Sequence, residues 1–214
     1  MVVLMAGAGG KGGLALAAVE EGVRALPEVA KTGWGDLGEA LWARASDRSM
    51  KEGETLGEEE LARVLWAACG VNRPDGKWTI ATALDRRDLR VFVCEAGGAW
   101  RYESAGHRLV KVSDADLRGE TGTQAFAGAA AVELVYAADL SAYDGKGPKD
   151  AGTRERFSLF HAGEAAQSVA LACAAGGLKC VVHALHTPEE EAALRAGLGL
   201  GECEVLLMAQ AVGR

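Results

Sequence analysis

The segment RASDRS (residues 44–49) carries two guanidinium groups and a hydroxyl at fixed spacing, from Arg44, Ser46 and Arg48. The preceding residues predict an amphipathic helix, and Arg44 falls on its apolar stripe. A guanidinium that faces inward needs an anion beside it, and arginine is suited to bidentate contact with phosphate. The sequence therefore predicts an anion here, which is either a bound phosphate group or the Asp and Glu side chains of neighbouring elements.

A glycine-rich stretch near the start is the second candidate. Gly7, Gly9 and Gly12 follow an apolar run at the spacing G-x-G-x-x-G, which is typical of turns that bind a dinucleotide pyrophosphate. That motif requires a second strand ending in an acidic residue, and the next residues show none. Lys11 precedes glycine rather than Ser or Thr, so a Walker loop is not predicted. We expect residues 1–31 to be a loosely ordered extension, with dinucleotide binding as an alternative.

Other reactive residue types do not assemble into a recognisable centre. His183 and His186 are three residues apart in a predicted strand and should point to opposite faces, so no metal site is predicted. The charged cluster ALDRRDLR (83–90) indicates, on its own, a solvated turn. The odd number of cysteines, without any C-x-x-C pair, indicates small core residues in a reducing compartment; they are Cys69, Cys94, Cys173, Cys180 and Cys203.

Composition limits the class of protein. The chain has 214 residues, of which 49% are hydrophobic and 25% charged, the balance of one globular domain. Its net charge of −7 disfavours a nucleic-acid or anionic-membrane partner. Lys11 and the glycines interrupt the first apolar run, and no other run is long enough to span a bilayer. We therefore expect a cytoplasmic protein, with a degraded export signal at the start of the chain as the alternative.

Two amphipathic helices should come first in the fold. Residues 35–49 form the first, with Asp36 and Glu39 as its capping box, and residues 55–70 form the second, with Thr55 and Glu58 in those roles. Later helices are predicted at 122–130, 154–177 and 188–199. Strands are predicted at 89–95, 99–104, 107–112, 131–139, 178–185 and 202–213.

This order indicates an α+β fold with one central sheet and helices packed against it. The helix over 154–177 is apolar almost all round, which predicts burial on most of its sides.

Taken together, several segments resemble the nitroreductase family in order and spacing. They are RASDRS, LGEEELARVLWAACG, WTIATALDRRDLRVFV, WRYESAGHRLVKV, HAGEAAQSVALACAAGGLKCVV and the terminal AVG. The resemblance covers residues 32–214 and implies one FMN-binding domain there. The implied fold is an α/β/α sandwich with a mixed or antiparallel sheet. The implied assembly is an intertwined homodimer, with helix 155–176 at its centre and FMN between the subunits.

The resemblance also implies which residues hold the cofactor. Arg44, Ser46 and Arg48 match the family pattern Arg-x-Ser-x-Arg, which implies contact with the flavin phosphate and ribityl chain, and places Arg48 nearer the pyrimidine end of the ring. No side chain is implied as a catalytic residue. The implied cofactor-binding residues are Arg44, Ala45, Ser46, Arg48, Thr82, Leu84, Asp85, Arg87, Ala184, Leu185 and Arg214.

The implied ring contacts depart from the family pattern. The family has Pro-Ser and then Asn and Gln after the second helix, and Gly or Glu-Gly in a later strand. Asp85 can accept a hydrogen bond from flavin N3–H but cannot donate to O4, and its charge opposes a reduced anionic flavin unless Arg87 offsets it. At those family positions this chain has Ala81, Thr82, Asp85, Arg87, Ala184 and Leu185.

The activity implied by the resemblance is hydride transfer from NADH or NADPH, through flavin N5, to a nitro, quinone or similar small acceptor by a ping-pong mechanism. In such an enzyme the cofactor supplies the redox chemistry, while fixed cations stabilise charge that develops on the ring. Two alternatives stay open. One is a degenerate flavin-binding or flavin-free homologue that acts as a binding protein without turnover. The other is a dinucleotide enzyme that uses the N-terminal glycines.

Overall fold

The computed structural model describes residues 21–30, 32–184 and 187–214, so the G-x-G-x-x-G motif, Leu185 and His186 lie outside the described residues. The strands are β1 (Val23–Ala25), β2 (Leu89–Glu95), β3 (Gly98–Glu103), β4 (Arg108–Ser113), β5 (Val132–Asp139), β6 (Lys179–His183) and β7 (Glu204–Gly213). The helices are α1 (Leu37–Ala43), α2 (Glu58–Cys69), α3 (Ala125–Ala129), α4 (Ala151–Gly176) and α5 (Pro188–Leu198).

The described strands form one seven-stranded sheet in the order β1-β4-β3-β2-β5-β7-β6. Every neighbouring pair is antiparallel. Helices cover both faces: α2 and α4 pack on one face, and α5 packs on the other. The α+β sandwich expected from the sequence is confirmed, and its sheet is antiparallel rather than mixed.

The two central strands account for this layering. Along β2, Val91 and Val93 face α2 and α4, whereas Phe92 and Cys94 face α5. Strand β5 alternates in the same way and is buried over Val132–Ala138. Because successive side chains of a strand point to opposite faces, a strand covered on both faces reads as a continuous apolar run.

Helix α1 is shorter than predicted. Asp36 caps its start, because its carboxylate accepts hydrogen bonds from the N–H groups of Gly38 and Glu39, but the helix ends at Ala43. The chain then turns extended, and the N–H of Asp47 donates to the carbonyl of Cys180 in β6 at 3.0 Å. Strand β6 is at an end of the sheet. Its open backbone groups therefore favour an extended partner over further helix.

Three further differences are local. The cap of α2 is Gly57, whose N–H donates to Glu60 at 2.7 Å, so the predicted Thr55–Glu58 box is wrong. Helix α3 spans only Ala125–Ala129, whereas the sequence predicts a helix over 122–130. Residues 23–25, assigned from sequence to a loosely ordered extension, form β1 and pair with β4.

Helix α4 is not buried on most of its sides. Its buried face is lined mainly by small residues and packs on the core, while Leu159 is 41% exposed and Phe160 is 59% exposed on the opposite side. Within the described residues, no helix combines the length and apolar character needed to cross a bilayer.

In the Arg214→Ala background, where the Glu60–Arg214 ion pair is already removed, replacing Glu60 by alanine should lower the free energy of unfolding by about 1 kcal/mol, because the Gly57 N–H loses its cap. The matched control is Glu59→Ala, which removes the same charge from the same helical turn without touching the cap. Urea denaturation of both variants provides the measurement. Equal stabilities of the two variants would contradict the assigned cap.

Candidate functional site

Arg44, Ala45 and Ser46 line a pocket of about 250 Å³ beside α4 and the middle of β6 and β7. Arg44 caps the end of α1 and is exposed, so the prediction that it faces inward on an apolar stripe is wrong. Neither Arg44 nor Arg48 forms an ion pair with a carboxylate within the part of the chain that the structure describes. The pocket therefore presents a hydroxyl and a guanidinium that no carboxylate of the described residues neutralises.

Asp47 lies between the two arginines but does not neutralise them. Its carboxylate accepts hydrogen bonds from the hydroxyl and the N–H of Ser49, at 2.6 and 2.8 Å, and these bonds lower the pKa of Asp47. Arg48 lies over the ring of Phe126, 6.0 Å from its centroid, and does not line the pocket. Of the predicted motif, Arg44 and Ser46 thus share one cavity, and Arg48 is not part of its lining.

Small side chains of α4 form one wall of this pocket. Gly163, Ala166 and Ala170 line it, and a Cβ on Gly163 would meet no atom within 4 Å. Gln210 lines it from β7, but its amide is already paired with Tyr136 and with the Ala166 carbonyl. A ligand could therefore approach the backbone of α4 closely without displacing a protein contact.

The predicted ring-contact segment, residues 82–87, is separate from the Arg44 pocket, and the residues just before it pack against α4. Residues 79–81 line a second cavity of about 460 Å³, which shares Gly163 and Gln167 with the Arg44 pocket. None of the residues 82–87 lines the Arg44 pocket. Within this chain, the two predicted halves of the site thus flank the same stretch of helix without meeting.

The turn after residue 81 has an unusual backbone. Leu84 and Asp85 have φ angles of 55° and 54°, in the left-handed region. This region costs a non-glycine residue about 1–3 kcal/mol, so such a conformation persists only where neighbouring contacts hold it. Leu84 is 60% exposed, and Asp85 and Arg87 are exposed as well, so their side chains are available to a ligand or a partner.

A buried polar network holds this turn on α4. The N–H of Ala83 donates to Nε2 of His161 at 2.7 Å, and Nδ1 of His161 is 2.7 Å from the carboxylate of Asp88. The hydroxyls of Ser158 and Tyr143 donate to the same carboxylate. Asp88 is fully buried, so the expectation that residues 83–90 form only a solvated turn is wrong.

Sequence reasoning missed this network, although α4 carried a signal for it. Ser158 and His161 are polar, three residues apart, and lie on the apolar face that packs on the core. Polar groups on a buried helix face need partners. This rule predicts a polar partner for Ser158 and His161, but it does not identify Asp88 as that partner.

A second buried pair lies at the end of β6. Nε2 of His183 is 3.0 Å from the carboxylate of Glu133, and both side chains are buried. Burial raises the pKa of Glu133 to about 7, against the opposing effect of the hydrogen bond with His183. Ala184, the next residue and a predicted ring contact, is exposed.

The remaining predicted residues fall elsewhere. Leu185 lies outside the described residues. Arg214 pairs with Glu60 at 2.5 Å and does not line the Arg44 pocket. Cys203 is exposed, which corrects the expectation that every cysteine is a core residue. The described ranges contain no group of three or more His, Cys, Asp or Glu side chains placed to hold a metal ion.

The fold and this pocket together define an antiparallel α/β/α sandwich with an arginine-lined cavity on its longest helix. A model of the nitroreductase family matches residues 41–214. A crystal structure from Ralstonia eutropha JMP134, named as that of a nitroreductase, is 33% identical over 92% of this chain and 91% of that chain, with a TM-score of 0.82. This chain belongs to the nitroreductase family, and it is thereby a nitroreductase-type oxidoreductase.

More distant structures share the fold. A nitroreductase in complex with FMN from Desulfovibrio desulfuricans is 20% identical over 84% of this chain and 86% of that chain, with a TM-score of 0.57. The NADPH:FMN oxidoreductase of Vibrio harveyi, complexed with NAD⁺, is 17% identical over 84% and 69% of the two chains, with a TM-score of 0.58. No curated protein matches this chain.

Glu133 should make the folded protein less stable as the pH rises from about 5 to 7. An unfolded glutamate titrates near ~4.3, and the folded one near about 7. In that interval the folded chain binds the proton that the unfolded chain has released, so rising pH favours unfolding.

In Glu133→Gln this loss should disappear, so its stability should change less between pH 5 and 7 than that of the wild type. Urea midpoints measured across this range test it, with Glu202→Gln as the exposed control. The same pH dependence in Glu133→Gln as in the wild type would show that Glu133 titrates normally.

Proposed function

We propose that this protein is an FMN-dependent oxidoreductase that takes hydride from NADH or NADPH and passes it to a nitro, quinone or similar small acceptor by a ping-pong mechanism. The observation that carries the proposal is the pocket on α4, where the guanidinium of Arg44 and the hydroxyl of Ser46 have no anionic partner among the described residues. A phosphate ester fits this donor set, because guanidinium and hydroxyl groups are its preferred ligands.

FMN, when bound, would supply the two-electron chemistry between the nicotinamide and the acceptor. The roles of the protein groups follow from their charges. Arg44 and Ser46 would bind the phosphate and ribityl chain, and the cation of Arg48 would stabilise negative charge on the reduced ring. Asp85 can only accept a hydrogen bond from the ring, and Arg87 is exposed two residues away to offset its charge.

Two relatives of the same fold support the choice of cofactors. The Vibrio harveyi protein is an NADPH:FMN oxidoreductase, and the Desulfovibrio nitroreductase is in complex with FMN. These relatives support FMN and a nicotinamide co-substrate for this chain, without separating NADH from NADPH. We further propose that residues 32–214 form the cofactor-binding domain and that the protein acts in the cytoplasm.

A second copy of the chain should complete the site. The Arg44 pocket, at about 250 Å³, is smaller than the ~300–1,000 Å³ typical of cofactor sites. Leu84, Asp85 and Arg87 are exposed on the other side of the shared helix stretch. Large apolar side chains also remain uncovered in the single chain, including Trp42 at 93% and Phe160 at 59% exposure. These observations support the homodimer, with FMN between the subunits.

Arg44→Ala should weaken FMN binding by about 2–5 kcal/mol, which is at least ~30-fold in Kd, because the phosphate loses its charged partner. Fluorescence titration of FMN measures the change. Arg73→Ala is the control, since it removes a guanidinium that does not line this pocket.

Oxidation of NADH and NADPH by the flavin-loaded wild type, followed with a quinone acceptor, tests turnover. Unchanged FMN affinity in Arg44→Ala would contradict the assigned phosphate site. Tight FMN binding without oxidation of either nicotinamide would favour the binding protein without turnover.

Phe160→Glu should convert the protein from dimer to monomer and reduce flavin binding with it, because a carboxylate would be buried against an apolar surface. Phe160→Leu keeps the surface apolar and is the matched control. Analytical ultracentrifugation gives the mass. A wild-type monomer that binds FMN tightly would contradict the shared site.

A further inference from the structure

His161 connects the buried carboxylate of Asp88 to the backbone of residues 82–87, the segment that contains the predicted ring contacts. The N–H of Ala83 can only donate, so Nε2 of His161, at 2.7 Å, is its acceptor and carries no proton. The imidazole proton is therefore on Nδ1, which donates to the carboxylate of Asp88 at 2.7 Å. This chain of hydrogen bonds holds the imidazole in one tautomer and one orientation.

The turn has two anchor points on the same face of α4. Glu164 accepts a hydrogen bond from the N–H of Ala81 at 3.0 Å, three residues along the helix from His161. The two residues with left-handed backbone, Leu84 and Asp85, lie between the Ala83 anchor and Asp88. A strained backbone that is exposed to solvent relaxes unless such contacts hold it.

We propose that His161 is a positioning residue of the cofactor site: through its Asp88-fixed Nε2 it holds the Ala83 amide, and with it the strained Leu84–Asp85 turn, in the orientation that presents this turn to the flavin ring. The inference rests on the proposed FMN function. His161 is itself 2% exposed and does not line the Arg44 pocket, so it acts on the ligand only through the turn.

Two substitutions at this position separate positioning from a merely structural role. Asparagine matches Nδ1 of histidine, so His161→Asn keeps a donor for Asp88 but leaves Ala83 without an acceptor. Glutamine reaches the place of Nε2, so His161→Gln keeps an acceptor for Ala83 but withdraws one of the three donors to the buried carboxylate. Loss of that donor should lower global stability more than loss of the Ala83 contact.

The experiment combines three measurements on both variants and the wild type: hydrogen–deuterium exchange of the Ala83 amide by NMR in flavin-free protein, the urea midpoint, and the Kd of FMN. In His161→Asn we expect Ala83 to exchange roughly tenfold faster, because one hydrogen bond is lost, and FMN to bind roughly tenfold more weakly. In His161→Gln we expect the amide protection and most of the FMN affinity to be restored, despite the lower urea midpoint.

Two results would overturn the inference while leaving the proposed function intact. If the FMN affinities of the two variants rank with their urea midpoints and not with the protection of the Ala83 amide, His161 is a structural residue only. Equal Ala83 protection in His161→Asn and the wild type would show that this hydrogen bond does not hold the turn. A wild type that binds no FMN but shows the expected exchange pattern would instead overturn the proposed function and, with it, the role assigned to the turn.

Discussion

The buried carboxylate of Asp88 is the interaction on which the arrangement of the proposed site depends. A buried charge costs several kcal/mol unless hydrogen bonds compensate it, and Asp88 is fully buried. Its donors are Tyr143, Ser158 and His161, which come from the turn after β5 and from α4. Meeting all three donors at once fixes the start of β2, the first half of α4 and the turn over residues 81–85 relative to one another.

Helix α4 then serves two purposes on its two sides. Its buried face packs on α2 and the sheet with mostly small residues, and supplies two of the three donors to Asp88, Ser158 and His161. Its exposed face carries Gly163 and Gln167, which border both cavities of the proposed site, and the uncovered Phe160. A single helix thus connects core packing, the proposed cofactor pocket and the proposed subunit contact, which explains why its sequence is apolar almost all round.

Most of the fold could be predicted from local patterns, because β2 and β5 are largely apolar runs and α5 begins at Pro188. The arginine motif was also visible, since its spacing is local. The end of α1 and the exposure of Arg44 were not, because they depend on pairing between Asp47 and the distant edge of β6. Asp88 looked solvated among its charged neighbours, because its three partners lie 55 to 73 residues away in the chain.

The visible absorbance spectrum of the purified protein, taken as isolated and again after incubation with FMN and desalting, tests the central claim most directly. The proposed FMN site predicts a yellow protein that retains about one flavin for each chain, held by Arg44 and Ser46, which have no anionic partner among the described residues. A colourless protein that loses all added FMN on desalting would contradict it. That result would mean that the departures at Asp85 and Ala184 have abolished the site, and that this member of the family acts through a partner instead.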